Sequence, residues 1–582
     1  FAYDVGDRLS KLIPMGAQGF PMTIDRALGD VPELKKLYKE DDDTKQIIDM
    51  AKKIEGCARH ISVHAAGVVI SPEPLTEYVP LQYDTKGENK IITQYDMYAV
   101  GEDGVGLLKF DFLGIKNLSI LADAVDRVKK IENVTVDIEN VPVTDKKTFE
   151  MLARGETIGL FQLNGSGMTR FLKDLKPSTI HDINAMVALY RPGPMESIPQ
   201  YIERKHDPKK ITFLDPRLKD ILDRSYGIIT YQDDVMLSAI HLGGYSWLEA
   251  DKLRKAMGKK IPKEMEEQKG KLMAGLVKNG MTEEKAMELW KLIEPFAAYG
   301  FNKAHAASYG KVAYQTAYMK ANFPAIYMSA VLTADSGDVE RIGETITECK
   351  RMGIPVLPPS VNESFSQFTI VKGQPIITEA NGTTRPAKPD ELVDRIRFGL
   401  VTIKNFGQGV STAIIDERKK GGRFTSLADC LERVKDKNLN KKSLESLIKA
   451  GALDELGERG VMMANLELLL TYHKEHAQHA ANENQDSLFG VPVAGSKGMN
   501  GTHTDSSHLR LLPAEPALMT DKLLWEKELL GLYVSGHPLD KYRELLEKSS
   551  VNIKKVREEM KEGMLTVVAG IIEEIRPVAT KK

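Results

Sequence analysis

Gly106-Leu-Leu-Lys109-Phe110-Asp111-Phe112-Leu113-Gly114 is the stretch on which the reading of this sequence turns. Side chains alternate across a strand, so Lys109 and Asp111 emerge on one face and Phe110 and Phe112 on the other. A carboxylate in an apolar strand, two residues from an ammonium, suits a site that holds a divalent cation against a phosphate. The same pair also suits a plain ion pair at a sheet edge. Just upstream, Arg59-His60-Ile-Ser-Val-His64-Ala-Ala-Gly67-Val-Val-Ile70 sets a basic, small-residue turn before a buried strand. Such a turn lets a phosphate approach backbone amides, which makes Arg59 and His64 candidates, although most histidine-bearing turns are only turns.

Outward from this strand the period of the sequence changes. The first sixty residues read as helical, with an acidic run Glu40 to Asp43 ahead of a helix near 44–54. Short strands are expected at 66–70, 91–95 and 106–113, then mostly helix from 117 to 334. Strand-like pieces return near 368–371 and 397–402, and helices fill 410–475. Residues 476–520, rich in Ala, Asn, Gln, Ser, Gly and Thr, read as a linker. Helices near 522–532 and 540–548 precede a strand expected at 565–575. The 582 residues are 42% hydrophobic and 28% charged, which fits a multidomain soluble chain and excludes wholesale disorder. No apolar run of about 18 residues occurs. Three cysteines, Cys57, Cys349 and Cys430, lie far apart without disulfide or metal spacing, so a reducing, cytoplasmic setting is expected. Lys plus Arg total 80 against 82 acids, so binding to polyanions would need local charge. The chain starts at Phe1 and not at Met, and stops inside an expected strand, so it reads as a piece of a longer protein.

Local charge is present. In Trp247-Leu-Glu-Ala-Asp-Lys252-Leu-Arg254-Lys255-Ala-Met-Gly258-Lys259-Lys260, five cations follow Asp251. At about 100° per residue, Lys252, Lys255 and Lys259 share a helix face opposite Ala250, Leu253 and Met257. A solvated face would normally interleave acids with these bases. Tyr299-Gly-Phe-Asn-Lys303-Ala-His305-Ala-Ala-Ser-Tyr309-Gly opens a further helix with Lys303, His305 and tyrosines suited to phosphates and bases, or with an Ala and Tyr stripe that is simply buried. Arg191, before Pro192-Gly193-Pro194, sits in a stiffened loop. Gly407-Gln-Gly409 opens a helix whose amides suit a DNA phosphate, and a second helical unit at 440–453 completes a helix-hairpin-helix pattern. Gln485-Asp-Ser-Leu488-Phe489, in the polar linker, has the form of a docking peptide.

These elements in this order resemble the alpha subunits of bacterial DNA polymerase III, the C-family replicative polymerases, in the branch whose OB domain is C-terminal. The anchors are Ser62-Val-His64-Ala-Ala-Gly-Val-Val-Ile70, Lys109 to Gly114, Gly159-Leu-Phe-Gln-Leu163, Ala188-Leu-Tyr-Arg191-Pro-Gly-Pro194, Tyr226-Gly-Ile-Ile-Thr-Tyr-Gln232, Arg254-Lys-Ala-Met-Gly-Lys-Lys260, Tyr299 to His305, and Gly531-Leu-Tyr-Val-Ser-Gly-His-Pro538. The resemblance implies a multidomain α+β fold: mostly helical thumb and fingers around a small palm sheet like that of polymerase beta, then a helix-hairpin-helix region and the start of an OB barrel. Its expected divisions are thumb 1–58, second palm half 59–118, fingers 119–370, helix-hairpin-helix region 371–475, linker with clamp motif 476–520, and helical lead-in with the first OB strand 521–582.

The family's palm holds two Mg²⁺ ions on three aspartates. The resemblance makes Asp111 the third of these and Lys109 a phosphate contact. Arg191, Lys252, Arg254, Lys255, Lys259, Lys303 and His305 would face the nucleotide or template, Gly407 and Gly409 the duplex, and Gln485, Leu488 and Phe489 the beta sliding clamp. Partners implied are primer–template DNA, dNTPs, the clamp, and the tau and epsilon subunits through parts mostly outside this chain, with no membrane. The departure is that the family's other two aspartates, in a Pro-Asp-x-Asp-x-Asp-Phe strand, and its PHP domain do not occur here. Asp41, Asp42 and Asp43, in helical context, are no substitute. The expected function is template-directed DNA synthesis by the whole protein, with this piece binding DNA but inactive alone. The alternative is a non-catalytic DNA- and clamp-binding adaptor derived from the polymerase.

Overall fold

Short capped helices build the first part of the chain. The structure, a computed structural model, describes residues 1–547 except 2, 15–21, 58–59, 86, 88, 102–103, 192, 260–261, 295–299, 375, 379–383, 389–391 and 484–508, together with 556, 564–566 and 570–571. It divides into two units, Phe1–Gly114 and Ile115–Lys582.

In the first unit, helices α1 (Tyr3–Leu12), α2 (Ile24–Asp30), α3 (Pro32–Glu40) and α4 (Asp42–Ile54) bury Leu9, Ala27, Leu34 and Ile48 against one another. Each helix places its apolar residues on one stripe, as a surface helix must. Asp41 is not inside a helix. It caps α4 by accepting the Thr44 amide at 3.1 Å, while Asp42 and Asp43 lie exposed in its first turn. Four strands follow: β1 (Gly67–Ile70), β2 (Leu81–Tyr83), β3 (Ile91–Thr93) and β4 (Leu108–Asp111). They form two antiparallel pairs, β1 with β4 and β2 with β3, over a small core of Val79, Val100 and Leu107. The β2 strand is absent from the sequence reading because three residues between Pro80 and Asp84 carry too little periodicity.

The second unit is mostly helical. Helices α5 (Lys116–Glu132), α6 (Lys146–Ala153), α7 (Ser166–Leu175), α8 (Ile180–Leu189) and α9 (Ile198–His206) lead through the short α10 (Lys219–Leu222) to α11 (Gln232–His241), α12 (Trp247–Lys259), α13 (Pro262–Lys278) and α14 (Glu283–Ile293). Then α15 (Lys303–Asn322) runs through the middle, packed on α5, α6, α8 and α16 (Pro324–Ala334). It can do so because Gly310, Ala313, Ala317 and Ala321 allow close approach, while Tyr314, Met319 and Lys320 fill the core. After α17 (Val339–Arg351), β5 (Val356–Leu357), β6 (Thr369–Val371) and β9 (Arg395–Arg397) make a three-stranded sheet, and β7 (Ile376–Thr378) pairs with β8 (Thr384–Pro386). The strand expected at 397–402 ends at Arg397; Leu400–Thr402 is a 3₁₀ turn with Leu400 buried.

Helices α18 (Gln408–Gly421), α19 (Leu427–Arg433), α20 (Lys441–Lys449), α21 (Arg459–Ala464) and α22 (Leu466–Glu483) follow, then α23 (Met519–Leu530) and α24 (Arg543–Glu547). The expected linker at 476–520 is helical at its start and docked at its end. Leu509 and Leu511 pack on the core, the Leu512 amide donates to Asn465 Oδ1 at 2.8 Å, and the Ala517 amide donates to Glu458. The Gly531–Pro538 motif wraps a buried acid: Glu526 accepts from the Val534 and Ser535 amides, the Ser535 hydroxyl and Arg459. No described helix is long and apolar enough to cross a membrane. Of the OB strand expected at 565–575, residues 567–569 and 572–575 lie outside the described residues, and 565–566 and 570–571 are not in a strand.

Candidate active-site residues and nucleic-acid interface

In the first unit, β4 places its side chains as alternation requires. Lys109 Nζ donates to both carboxylate oxygens of Asp111, at 2.8 and 2.9 Å, while Phe110 and Phe112 stack with centroids 6.1 Å apart on the other side. The ammonium clamp holds the Asp111 carboxyl below its ordinary range. His64 Nδ1 accepts the Gly67 amide at 2.7 Å. That lone pair is therefore committed to the backbone, and the 3.8 Å approach of His64 Nδ1 to Asp111 Oδ1 is proximity without a hydrogen bond. Gly67 leaves room here: a Cβ would lie 2.8 Å from His64 Nδ1 and 3.3 Å from Asp111 Oδ1, so either side chain would have to shift. The apolar face of this pair is open to solvent, with Phe110 46% and Phe112 68% exposed. Arg59 lies outside the described residues.

A hard divalent cation takes about six oxygen ligands. Among the described residues no three His, Cys, Asp or Glu side chains gather as a metal site. Asp111 offers one carboxylate whose oxygens both already accept from Lys109, so these residues do not by themselves make the two-ion site.

In the second unit, the loop after α8 brings Arg191 to the start of α15. The Arg191 guanidinium lies 3.7 Å above the Phe301 ring, and Phe301 meets His305 at 5.0 Å. His305 in turn stacks on Tyr309 at 4.1 Å, and Tyr309 on Phe161 at 5.1 Å. Burial lowers the Arg191 pKa, and no carboxylate among the described residues pairs with it. Asn302 caps α15 by accepting the His305 amide at 2.9 Å. Lys303 is held from below. Its amide donates to Asp233 at 2.8 Å, and its Nζ stands 4.0 Å from Asp234 and 5.5 Å from the Tyr231 ring. Burial pushes the Asp234 carboxyl up to about 6 against the pull of the Thr230 and Tyr231 amides and Lys303. Arg191, Lys303 and His305 are thus gathered at one helix start. Phe301, Asp233 and Asp234, which the sequence reading did not single out, line this cluster; Phe301 stands inside the quoted motif, and the acid pair directly follows Gln232.

On α12 the facial separation holds: Ala250, Leu253 and Met257 are buried and Lys252 and Lys255 exposed. The expected shortage of acids needs correction. Asp251 pairs with Arg254 at 2.8 Å and Lys255 at 3.7 Å, and Glu249 pairs with Lys271 at 2.8 Å while capping through Ser246. Lys252 is left without an acid among the described residues; Lys259 ends the helix. Farther on, Gly407 caps α18 and Gly409 lies in its exposed first turn. Asp436 stands close by, 3.7 Å from where a Gly409 Cβ would sit, so an acid neighbours that helix start. Asn440 and Ser443 cap the second helix reciprocally, and Ala413 packs against the core. Gln485, Leu488 and Phe489 lie outside the described residues.

Comparison with known proteins matches three family models along this order. Residues 1–114 match the bacterial DNA polymerase III alpha NTPase domain, 117–280 the bacterial DNA polymerase III alpha subunit finger domain, and 353–461 a helix-hairpin-helix motif. The DNA polymerase III subunit alpha of Thermus aquaticus is 41% identical over 98% of this chain and 44% of its own length. That of Escherichia coli O6:H1 is 38% identical over 100% of this chain and 48% of its own length. That of Aquifex aeolicus is 37% identical over 100% of this chain and 47% of its own length. The chain therefore spans about half the length of these curated relatives. It belongs to the family of bacterial DNA polymerase III alpha subunits.

Proposed function

We propose that this chain is part of a template-directed DNA polymerase that transfers nucleotides from dNTPs to a primer 3′-hydroxyl in bacterial chromosome replication. The observation that carries the reading is the Asp111 carboxylate gripped by Lys109 beside the Gly67 turn, on the strand where the family resemblance puts a catalytic acid. Asp111 would serve as one ligand of a divalent-metal set, Mg²⁺ being the expected ion, completed by other carboxylates of the intact protein. Bound there, such ions would neutralise phosphate charge. This chain's own residues do the positioning. Lys109 aims the Asp111 carboxylate, and Gly67 lets the backbone approach it. Arg191, Lys303 and His305 supply a cationic and aromatic surface for the nucleotide's phosphates. The α12 lysines and the Gly407–Gly409 helix start contact the template and duplex backbone, and the segment at 485–489 docks the sliding clamp.

The 582-residue chain on its own binds primer–template DNA without extending it, because among the described residues no further carboxylate joins Asp111 and one carboxylate does not organise two ions. Primer-extension and DNA-binding assays on the isolated chain test the proposal. Binding without extension supports it, and extension that disappears with Asp111→Ala would overturn the view that the chain is inactive by itself.

A further inference from the structure

The start of α15 holds an arrangement that neither the family models nor the relatives' names assign to any role. Phe301 is only 6% exposed, and its carbonyl accepts the Gln232 amide at 3.0 Å. Over its ring lies the Arg191 guanidinium at 3.7 Å; against the ring stands the His305 imidazole, edge-on at 64°. A guanidinium that is partly desolvated and, among the described residues, has no carboxylate partner has two sources of stabilisation, an aromatic face and an incoming anion. An aliphatic side chain of similar size would fill the same space without offering the negative face of an aromatic ring. Two side chains from separate elements, the post-α8 loop and α15, are therefore registered through one ring, and His305 is further held by Tyr309 at 4.1 Å.

We propose that Phe301 is the positioning residue of this site: its ring fixes Arg191 and His305 as one unit that grips the phosphates of a nucleoside triphosphate. Phe301 itself touches no substrate. This inference rests on the nucleotide-site reading of Arg191 and His305 given above.

The test measures binding of dATP and of inorganic tripolyphosphate to the 582-residue chain. Arg191→Ala weakens both by about tenfold or more, as removal of a charge-assisted phosphate contact should. Phe301→Leu weakens both nearly as much, and the double variant loses clearly less than the sum of the two single losses, because Phe301 acts largely through Arg191 and only the His305 contact is left for it to disturb. Phe301→Tyr keeps the ring and restores wild-type affinity. The Arg191 Hε resonance, shifted upfield by the ring beneath it, returns toward its free position in Phe301→Leu and stays in Phe301→Tyr; this reads the geometry even if affinity is altered by loosening of the fold. If Arg191→Ala weakens binding while Phe301→Leu does not, or if the two losses simply add, the positioning role is wrong and the nucleotide reading stands. If Arg191→Ala binds both probes as well as the parent, or if the parent binds neither, the nucleotide reading itself fails.

Discussion

Lys320 is fully buried on α15, the helix whose start carries Lys303 and His305. Its Nζ donates to the carbonyls of Glu156 and Ile158 at 2.9 Å each and to Glu348 Oε1 at 2.6 Å. Burial lowers its pKa, and the Glu348 carboxylate resists that shift. Lys320→Met keeps most of the side-chain volume and removes the charge. Glu348 is not stranded by this change, since Arg351 still donates to it at 2.7 and 2.8 Å. The loss is then that of two carbonyls deprived of a donor, about 1–3 kcal/mol each, partly offset because no ammonium has to be desolvated. A net cost of about 3 kcal/mol follows, which lowers the melting temperature by about 6 °C for a large unit. Glu348→Gln should be worse, about 3–5 kcal/mol, because it leaves the buried ammonium without its counter-charge. In that variant the folded Lys320 pKa falls further below the unfolded value. The folded state then binds fewer protons than the unfolded one, so stability rises as pH rises toward the ordinary lysine range. Thermal melts of both variants from neutral to alkaline pH check this. Melting indistinguishable from the parent in both, or a milder effect for Glu348→Gln with no pH trend, would refute it.

Charge reversal of Lys252, Lys255 and Lys259 to Glu should weaken DNA binding and flatten its salt dependence by about 0.9 in log–log slope for each phosphate no longer neutralised; because Lys255 shares Asp251 with Arg254, Lys252→Glu alone should flatten it at least as much as Lys255→Glu. Glu458, the cap of α21, is opposed by its own desolvation but accepts from Lys522 and the Val461, Gly460 and Ala517 amides, which bring it down to about 2. A depressed carboxyl stabilises the fold above its unfolded pKa and loses that contribution as pH falls through the folded one. The parent should therefore melt above Glu458→Gln at neutral pH, and the two should converge as pH drops from about 4.3 toward about 2. Replacing Gln485, Leu488 and Phe489 with Ala in the full-length protein should abolish clamp-dependent processivity and leave distributive extension; unchanged processivity would remove the clamp assignment.

What could be read from sequence was what depends on neighbours along the chain. Period two put Lys109 and Asp111 on one face of β4, and period 3.6 put Lys252 and Lys255 opposite Ala250 and Leu253, because alternation and helical pitch are local properties. Pairings between distant residues were not legible. Lys320 and Glu348 are 28 residues apart, and Arg459 meets Glu526 across 67. The docked end of the supposed linker was hidden by the polar composition ahead of it, and it is held by Leu509 and Leu511 against the core and by hydrogen bonds from Leu512 and Ala517 to distant Asn465 and Glu458. The 3₁₀ turn at Leu400–Thr402 looked like strand because a buried apolar turn and a buried strand share the same residue types. Phe301 stood inside a quoted motif, yet an aromatic residue beside a helix start is usually core, and only the guanidinium above it gives it another use.

The central claim is that Asp111 is a catalytic carboxylate. Single-turnover primer extension by the full-length protein, with DNA affinity measured alongside, tests it most directly. Asp111→Asn is expected to lower the extension rate by about a thousandfold or more at unchanged DNA affinity, as loss of a charge from an ion-assisted transition state does. Extension close to the parental rate, with DNA affinity intact, would mean that Asp111 and Lys109 are no more than an ion pair on a two-stranded sheet.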